Sequence, residues 1–190
     1  MSTHKALLIL HGKQALNEDV RAAVQARREQ GWELAVRVTW EGGDARRLVD
    51  EALADGYTHL IAGGGDGTLR DVAEAMALAK TDASLVLMPL GTANDFARAA
   101  GVPLEPAKAL ALLDVPPKAI DLGQAGGQMF LNMATGGFGS QVNRIHRRNP
   151  GRVAGAGGGR GLPEPLPMLS IAAARSTRKR LVPAEAPKLA

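Results

Sequence analysis

Three short apolar runs, ALLIL (6–10), THLIA (58–62) and SLVLM (84–88), and one alternating stretch, WELAVRVT (32–39), whose Trp, Leu, Val and Val oppose Glu, Ala, Arg and Thr as in a strand with one wetter face, punctuate the first half of the chain. Between them lie segments whose apolar residues recur at i, i+3 and i+4, the stripe of an amphipathic helix. Val20, Ala23 and Val24 mark the first stripe, Ala45, Leu48, Val49, Ala52 and Leu53 the second, and Leu69, Val72, Ala73, Met76 and Ala77 the third. A run as short as ALLIL suits a strand buried on both faces rather than a helix. Strands that alternate with helices across short connections pair in parallel, because each crossover helix packs back on the sheet. The predicted class is α/β, a Rossmann-like three-layer parallel sheet with helices on both faces.

Cap and turn residues fall where this order needs them. Asn17 precedes Glu18 and Asp19 as an N-cap with acids in the first turn, and Gly31 ends that helix. Gly42-Gly43 makes a turn, Asp44 is placed to cap the second helix, and Gly56 ends it. Further on, a short helix is expected over 94–100, another from Pro106, and strands over 119–122 and 128–134.

The bulk properties narrow the function. There is no cysteine, hence no disulfide or thiolate metal site. His4, His11, His59 and His146 show no ligand spacing and read as surface or strand-end residues. No 18-residue apolar run and no signal-peptide pattern follows Met1, so the expectation is a cytoplasmic chain. The net charge of +4 is unevenly placed. Residues 1–142 hold 13 Lys and Arg against 17 Asp and Glu, whereas residues 143–190 hold 10 against 2. The body is acidic and the basicity lies in a tail rich in Arg, Gly, Pro and Ala. That composition reads as disordered. With no aromatic residue to stack on bases, it gives no expectation of nucleic-acid binding.

The stretch HLIAGGGDGTLRDVAEAM (59–76) carries the first chemical signal. Glycines between a parallel strand and a helix let the backbone N–H groups approach a ligand, and the helix N-terminus beyond them favours phosphate. Thr68 is placed to cap that helix, with Asp71 three residues on as the partner of a capping box. No Gly-Lys-Ser/Thr follows, so this is not a Walker A loop. Asp66 is unexpected in a phosphate cradle unless a metal or a proton transfer uses it. A second polar cluster, MPLGTANDFA (88–97), follows the next strand and offers Gly91, Thr92, Asn94 and Asp95. Adjacent strand ends would bring both loops to one rim, as two walls of a nucleotide site.

Together GGGDGT (63–68) and PLGTANDFA (89–97) resemble the diacylglycerol kinase catalytic-domain superfamily, which includes sphingosine kinases and, more distantly, NAD kinases and phosphofructokinases. VRVTWEGGDARRLVDEA (36–52) and FLNMATGGFGSQV (130–142) are similar to the YegS-type bacterial lipid kinases in particular. The resemblance runs from about residue 7 to 142. It implies an N-terminal nucleotide-binding domain of phosphofructokinase/NAD kinase-like fold and a C-terminal β-sandwich, with ATP and Mg²⁺ between them. The implied reaction transfers the γ-phosphoryl group to a lipid hydroxyl, of the phosphatidylglycerol or diacylglycerol class, at a membrane surface. Carried over residue by residue, Thr39 matches an ATP contact at a strand end. Gly65, Asp66, Gly67, Thr68, Leu69, Arg70 and Asp71 match the ATP-binding loop, and Thr92 matches the second loop. Asp66 takes a supporting catalytic role in organising the phosphates, directly or through metal.

Two departures qualify the match. Where the family commonly has Asn-Glu, this chain has Arg70-Asp71, which keeps a carboxylate and adds a cation able to pair with phosphate. After GGFG the sequence leaves the family pattern, and the implied Mg²⁺ ligands and proton-accepting glutamate are not matched. The expected domains are therefore a catalytic-type domain over 1–142 and a disordered or out-of-frame tail over 143–190, with weak or no activity. An NAD kinase-like phosphotransferase and a non-catalytic nucleotide-binding module with a basic interaction tail are the alternatives.

Overall fold

A computed structural model describes residues 5–120, 122–125 and 128–131. The expected tail and the end of the strand predicted over 128–134 lie outside these residues. Strands β1 (Lys5–His11), β2 (Glu33–Thr39), β3 (His59–Gly64) and β4 (Ser84–Pro89) form a parallel sheet in the order β2-β1-β3-β4. Helices α1 (Glu18–Glu29), α2 (Asp44–Ala54) and α3 (Asp66–Ala79) connect them, followed by α4 (Asp95–Ala99) and α5 (Pro106–Ala111). A small antiparallel pair, β5 (Gly123–Ala125) and β6 (Gln128–Phe130), closes the described chain. The expected strand over 119–122 starts later, at Gly123; the two prolines at 116 and 117 and the Lys118–Ile120 stretch after them pair with no strand.

β1 is central, and its ALLIL run is buried throughout, as a strand covered on both faces must be. Alternation splits it between two cores. Leu7 and Ile9 join α2 and α3 side chains such as Val49, Val72 and Met76, while Ala6, Leu8 and Leu10 join Val20 and Val24 of α1 and Leu110 of α5. Each fully buried Leu or Ile contributes about 1.5–3 kcal/mol, so this strand anchors both layers. The outer strand β2 behaves differently. Leu34 and, just before the strand, Trp32 are buried, but burial fades toward its end, where Val38 is exposed.

Asn17 caps α1 as expected, its Oδ1 accepting from the Val20 N–H at 3.2 Å. Asp44 does not cap α2; Gly43 holds the N-cap position with φ 95°, a conformation that favours glycine. The Asp44 carboxylate instead turns back to the preceding loop, accepting from the N–H groups of Trp40 (2.7 Å) and Glu41 (3.0 Å). Thr68 is likewise not a cap. Gly65 is the N-cap of α3, and Thr68 lies inside the first turn, buried. Asp71 pairs with Arg70 rather than closing a capping box.

Candidate functional site

The two glycine-bearing strand ends meet at one rim. β3 and β4 are neighbours with Gly64 opposite Pro89, and the Leu90 N–H donates to the Gly64 carbonyl at 2.8 Å. Asp66, the first residue of α3, accepts from the backbone N–H groups of Asp95 (3.1 Å) and Phe96 (3.0 Å), which open α4. A carboxylate there satisfies two orphan amides and complements the helix dipole. Asp66 thus ties the two loops together. Asn94 holds the N-cap position in the left-handed region (φ 51°) that Asn tolerates, yet its side chain closes the loop behind it. Its Oδ1 accepts from the Gly91 N–H at 2.9 Å, and its Nδ2 donates to the Gly91 carbonyl at 2.7 Å.

Most glycines here are small because of the protein's own packing. A Cβ on Gly63 would stand 2.8 Å from Leu8 Cδ1, one on Gly64 would run into the Thr68 side chain, and one on Gly91 would stand 2.5 Å from Gly65 Cα. Gly67 differs. Its φ is not positive, and a Cβ there would meet nothing within 4 Å. Neither backbone conformation nor internal packing asks for glycine at that exposed position. It lies in the first turn of α3, whose N-cap makes no side-chain hydrogen bond, so the leading amides have no side-chain cap. This open, positively polarised turn is chemically suited to a phosphate.

Next to it, a cavity of about 810 Å³ opens where β1 and β2 end, lined by His11, Gly12, Thr39 and Trp40 and by Thr68 and Asp71 of α3. Its size lies in the range of roughly 300–1,000 Å³ usual for small-molecule sites. Gly12 is needed where these strand ends converge, since a Cβ there would stand 2.7 Å from the Thr39 carbonyl oxygen. Of the sequence candidates, Thr39, Thr68 and Asp71 line the cavity, while Gly65, Asp66 and Gly67 form the neighbouring start of α3. Leu69 is a core residue, its side chain buried, so only its backbone faces the loop. Arg70 is exposed and donates to Asp71 Oδ1 from Nε (3.1 Å) and Nη2 (2.7 Å). Thr92 is exposed in the β4–α4 loop.

The wall also contains Lys13, Trp40 and Glu74, which the sequence reading missed. Trp40 carried a signal: a large aromatic just past a strand end and before Gly-Gly. Two hydrogen bonds from backbone N–H groups and one from Arg47 hold the Asp44 carboxyl below its usual range, at about 2. The turn bearing Trp40 is thereby fixed. Among the described residues no group of three His, Cys, Asp or Glu side chains is placed to hold a metal ion. No helix among them is long and apolar enough to cross a membrane.

The sequence profile of the diacylglycerol kinase catalytic domain matches residues 5–125, every described element through β5. The chain belongs to that family. Within it, the similarity points to one kind of member: the protein named "Probable lipid kinase YegS-like" of Pseudomonas fluorescens is 80% identical over 142 residues, covering 75% of this chain and 48% of that protein. Its namesake in Pseudomonas putida is 70% identical over 156 residues, covering 82% of this chain and 53% of that protein. The chain spans about half the length of the curated relatives it matches. A crystal structure of a diacylglycerol kinase from Bacillus anthracis superposes with a TM-score of 0.60 at 31% identity, over 70% of this chain and 47% of that one.

Proposed function

We propose that this domain holds ATP for transfer of its γ-phosphoryl group to a lipid hydroxyl of the phosphatidylglycerol or diacylglycerol class. The observation that carries the reading is the first turn of α3, left without a side-chain cap and faced by Gly67, beside a cavity of nucleotide size. In the reaction the lipid oxygen attacks the γ-phosphorus, the bond to the β-phosphate bridging oxygen breaks, and ADP leaves while a base takes the hydroxyl proton. Catalysis of such a step rests on positioning and charge stabilisation.

Here the amides at the start of α3 receive phosphate oxygens. Thr39 and Thr92 contact the nucleotide from the ends of the two outer strands, β2 and β4, on either side of the start of α3, and Arg70 is close enough in sequence to swing from Asp71 to a phosphate. Asp66 acts chiefly by fixing the two loops, which sets where those amides point. Mg²⁺, expected with the nucleotide, would neutralise triphosphate charge. Both Asp66 oxygens are taken by amides and the described residues offer no three-ligand set, so this donor set does not fit the ion by itself. The lipid acceptor places the working enzyme at a membrane surface.

Equilibrium titration of the chain with ATP tests the reading. Saturable binding, competed by inorganic tripolyphosphate, is expected; absence of saturable binding would overturn it. Label transfer from γ-labelled ATP to phosphatidylglycerol, diacylglycerol or NAD then reads the acceptor. Label in NAD rather than lipid would replace the lipid kinase reading with the NAD kinase one.

A further inference from the structure

Trp40 is 92% exposed, the most exposed of the large apolar side chains among the described residues. It lies past the end of β2, on the wall of the cavity, where Val38 and Leu78 add further exposed apolar surface. A mobile tryptophan on a loose loop would carry little meaning, but this one stands on a fixed backbone. Its N–H and that of Glu41 both donate to Asp44 Oδ2, and Arg47 Nη2 holds the other oxygen of Asp44 at 2.8 Å. An aromatic face offered to solvent on a preorganised turn costs little further ordering when something stacks on it.

The rest of the cavity says what that is. Thr68 and Leu78 of α3 both line it, and ten residues of helix rise about 15 Å. Trp40, past the end of β2, and the phosphate-accepting turn by Thr68, past the end of β3, open on this one cavity from the same rim of the parallel sheet, the two features that a base joined to a chain of phosphates requires. Small residues, Gly42, Gly43, Ala45 and Ala75, leave room between them. Gly42 has no positive φ, and a Cβ there would meet nothing within 4 Å. A bilayer is the other surface an exposed tryptophan suits, but the cavity wall mixes Glu41, Asp71 and Glu74 with Lys13 and Arg46. It is not the basic cluster by which a surface recognises anionic lipid.

We propose that Trp40 is the platform on which the nucleobase stacks when a nucleotide fills this cavity with its phosphates at the first turn of α3. The inference rests on the nucleotide reading above and adds a residue and an orientation to it. Stacking of a base on an aromatic side chain contributes enough that its removal weakens binding by about tenfold or more. Because every base has a π-face, the loss falls on ATP and on other nucleoside triphosphates alike.

The chain contains two tryptophans. Trp32 is buried at the edge of His59, with ring centroids 5.3 Å apart, so a fluorescence change confined to the exposed indole is readable. The test compares the intact chain with Trp40→Ala and Trp40→Phe in titrations with ATP, GTP and inorganic tripolyphosphate, and in sedimentation with phosphatidylglycerol vesicles. The expected result is quenching of Trp40 emission by ATP and GTP but not by tripolyphosphate. Trp40→Ala should raise the Kd for both nucleotides about tenfold, leave that for tripolyphosphate unchanged, and be largely rescued by Trp40→Phe. ATP binding equally well to Trp40→Ala would overturn the stacking role alone. Failure of the intact chain to bind ATP would overturn it together with the nucleotide reading. Loss of vesicle binding in Trp40→Ala with ATP affinity intact would make the platform a membrane contact instead.

Discussion

At the end of β3 a Cβ added to Gly63 or Gly64, or to Gly91 across the gap, collides with the protein; at the end of β2 a Cβ added to Gly42 or Gly43 meets nothing within 4 Å. Both turns look alike in the sequence. The first is glycine-rich because two strand ends and a helix start are pressed together, and its shape is enforced by packing. The second is open, and one carboxylate, that of Asp44, holds it. Glycine in the first turn reports on the fold; in the second, Gly43 serves its positive φ, and Gly42, with neither strain nor contact to explain it, leaves room for something else. Gly67 belongs with the second kind although it sits in the first turn.

The difference is broken most severely at Gly91. In Gly91→Ala the new methyl meets the Gly65 backbone at 2.5 Å and the Asn94 oxygen at 2.9 Å, and backbone cannot swing aside. Overpacking of this kind costs about 1–3 kcal/mol, and the upper end is expected here. Chemical denaturation should show a lower midpoint with an unchanged slope. Gly42→Ala serves as the control and should leave the midpoint where it is.

Asp66→Ala comes next. It removes the acceptor for the Asp95 and Phe96 amides, and loss of a helix cap costs about 0.5–2 kcal/mol. Since Asp66 joins the two loops, ATP affinity should fall along with stability. A variant that loses affinity but keeps its denaturation midpoint would show instead that Asp66 acts on the ligand directly.

Gly67→Ala sharpens the contrast in the other direction. Alanine is the better helix former, by about 1 kcal/mol in a helix interior, and no described neighbour opposes its methyl. Stability should hold or rise slightly while ATP affinity falls about tenfold, measured by calorimetric titration. Unchanged affinity would mean that no ligand approaches the first turn of α3 closely.

Much of this was legible beforehand because it follows from short-range rules. Short continuous apolar runs locate β1, β3 and β4, alternation locates β2 and the 3.6 period locates α1 to α3, and the order of elements implies a parallel sheet with GGGDGT and GTAND on one rim. The errors share a cause. Spacing gives Thr68, Asp71 and Asp44 each a local partner, and each has another environment. Spacing allows Thr68 to cap α3, but the helix already begins at Asp66, whose carboxylate is engaged by α4 some thirty residues away. Asp44 sits at the right place to cap α2 and instead folds back to the loop before it. The cavity wall at Lys13, Trp40 and Glu74 was missed for a related reason. It joins three separate connections, and no periodicity within any one of them announces it.

The smallest expected effect concerns what holds the open turn. The Asp44 carboxyl is held at about 2 instead of 3.8, first by the Trp40 amide, then by Arg47 and the Glu41 amide. Folding therefore favours its ionised form. The stabilisation is fully present above the ordinary value of 3.8 and is lost as pH falls through that value toward about 2. Asp44→Asn lacks the titrating charge but keeps one oxygen acceptor, so at pH 6 it should melt a few degrees below the parent chain. Between pH 4 and 2 the parent should lose melting temperature more steeply, and the two curves should converge near pH 2. A gap that persists unchanged at pH 2 would show that side-chain geometry, rather than the charge on Asp44, fixes the turn that carries Trp40.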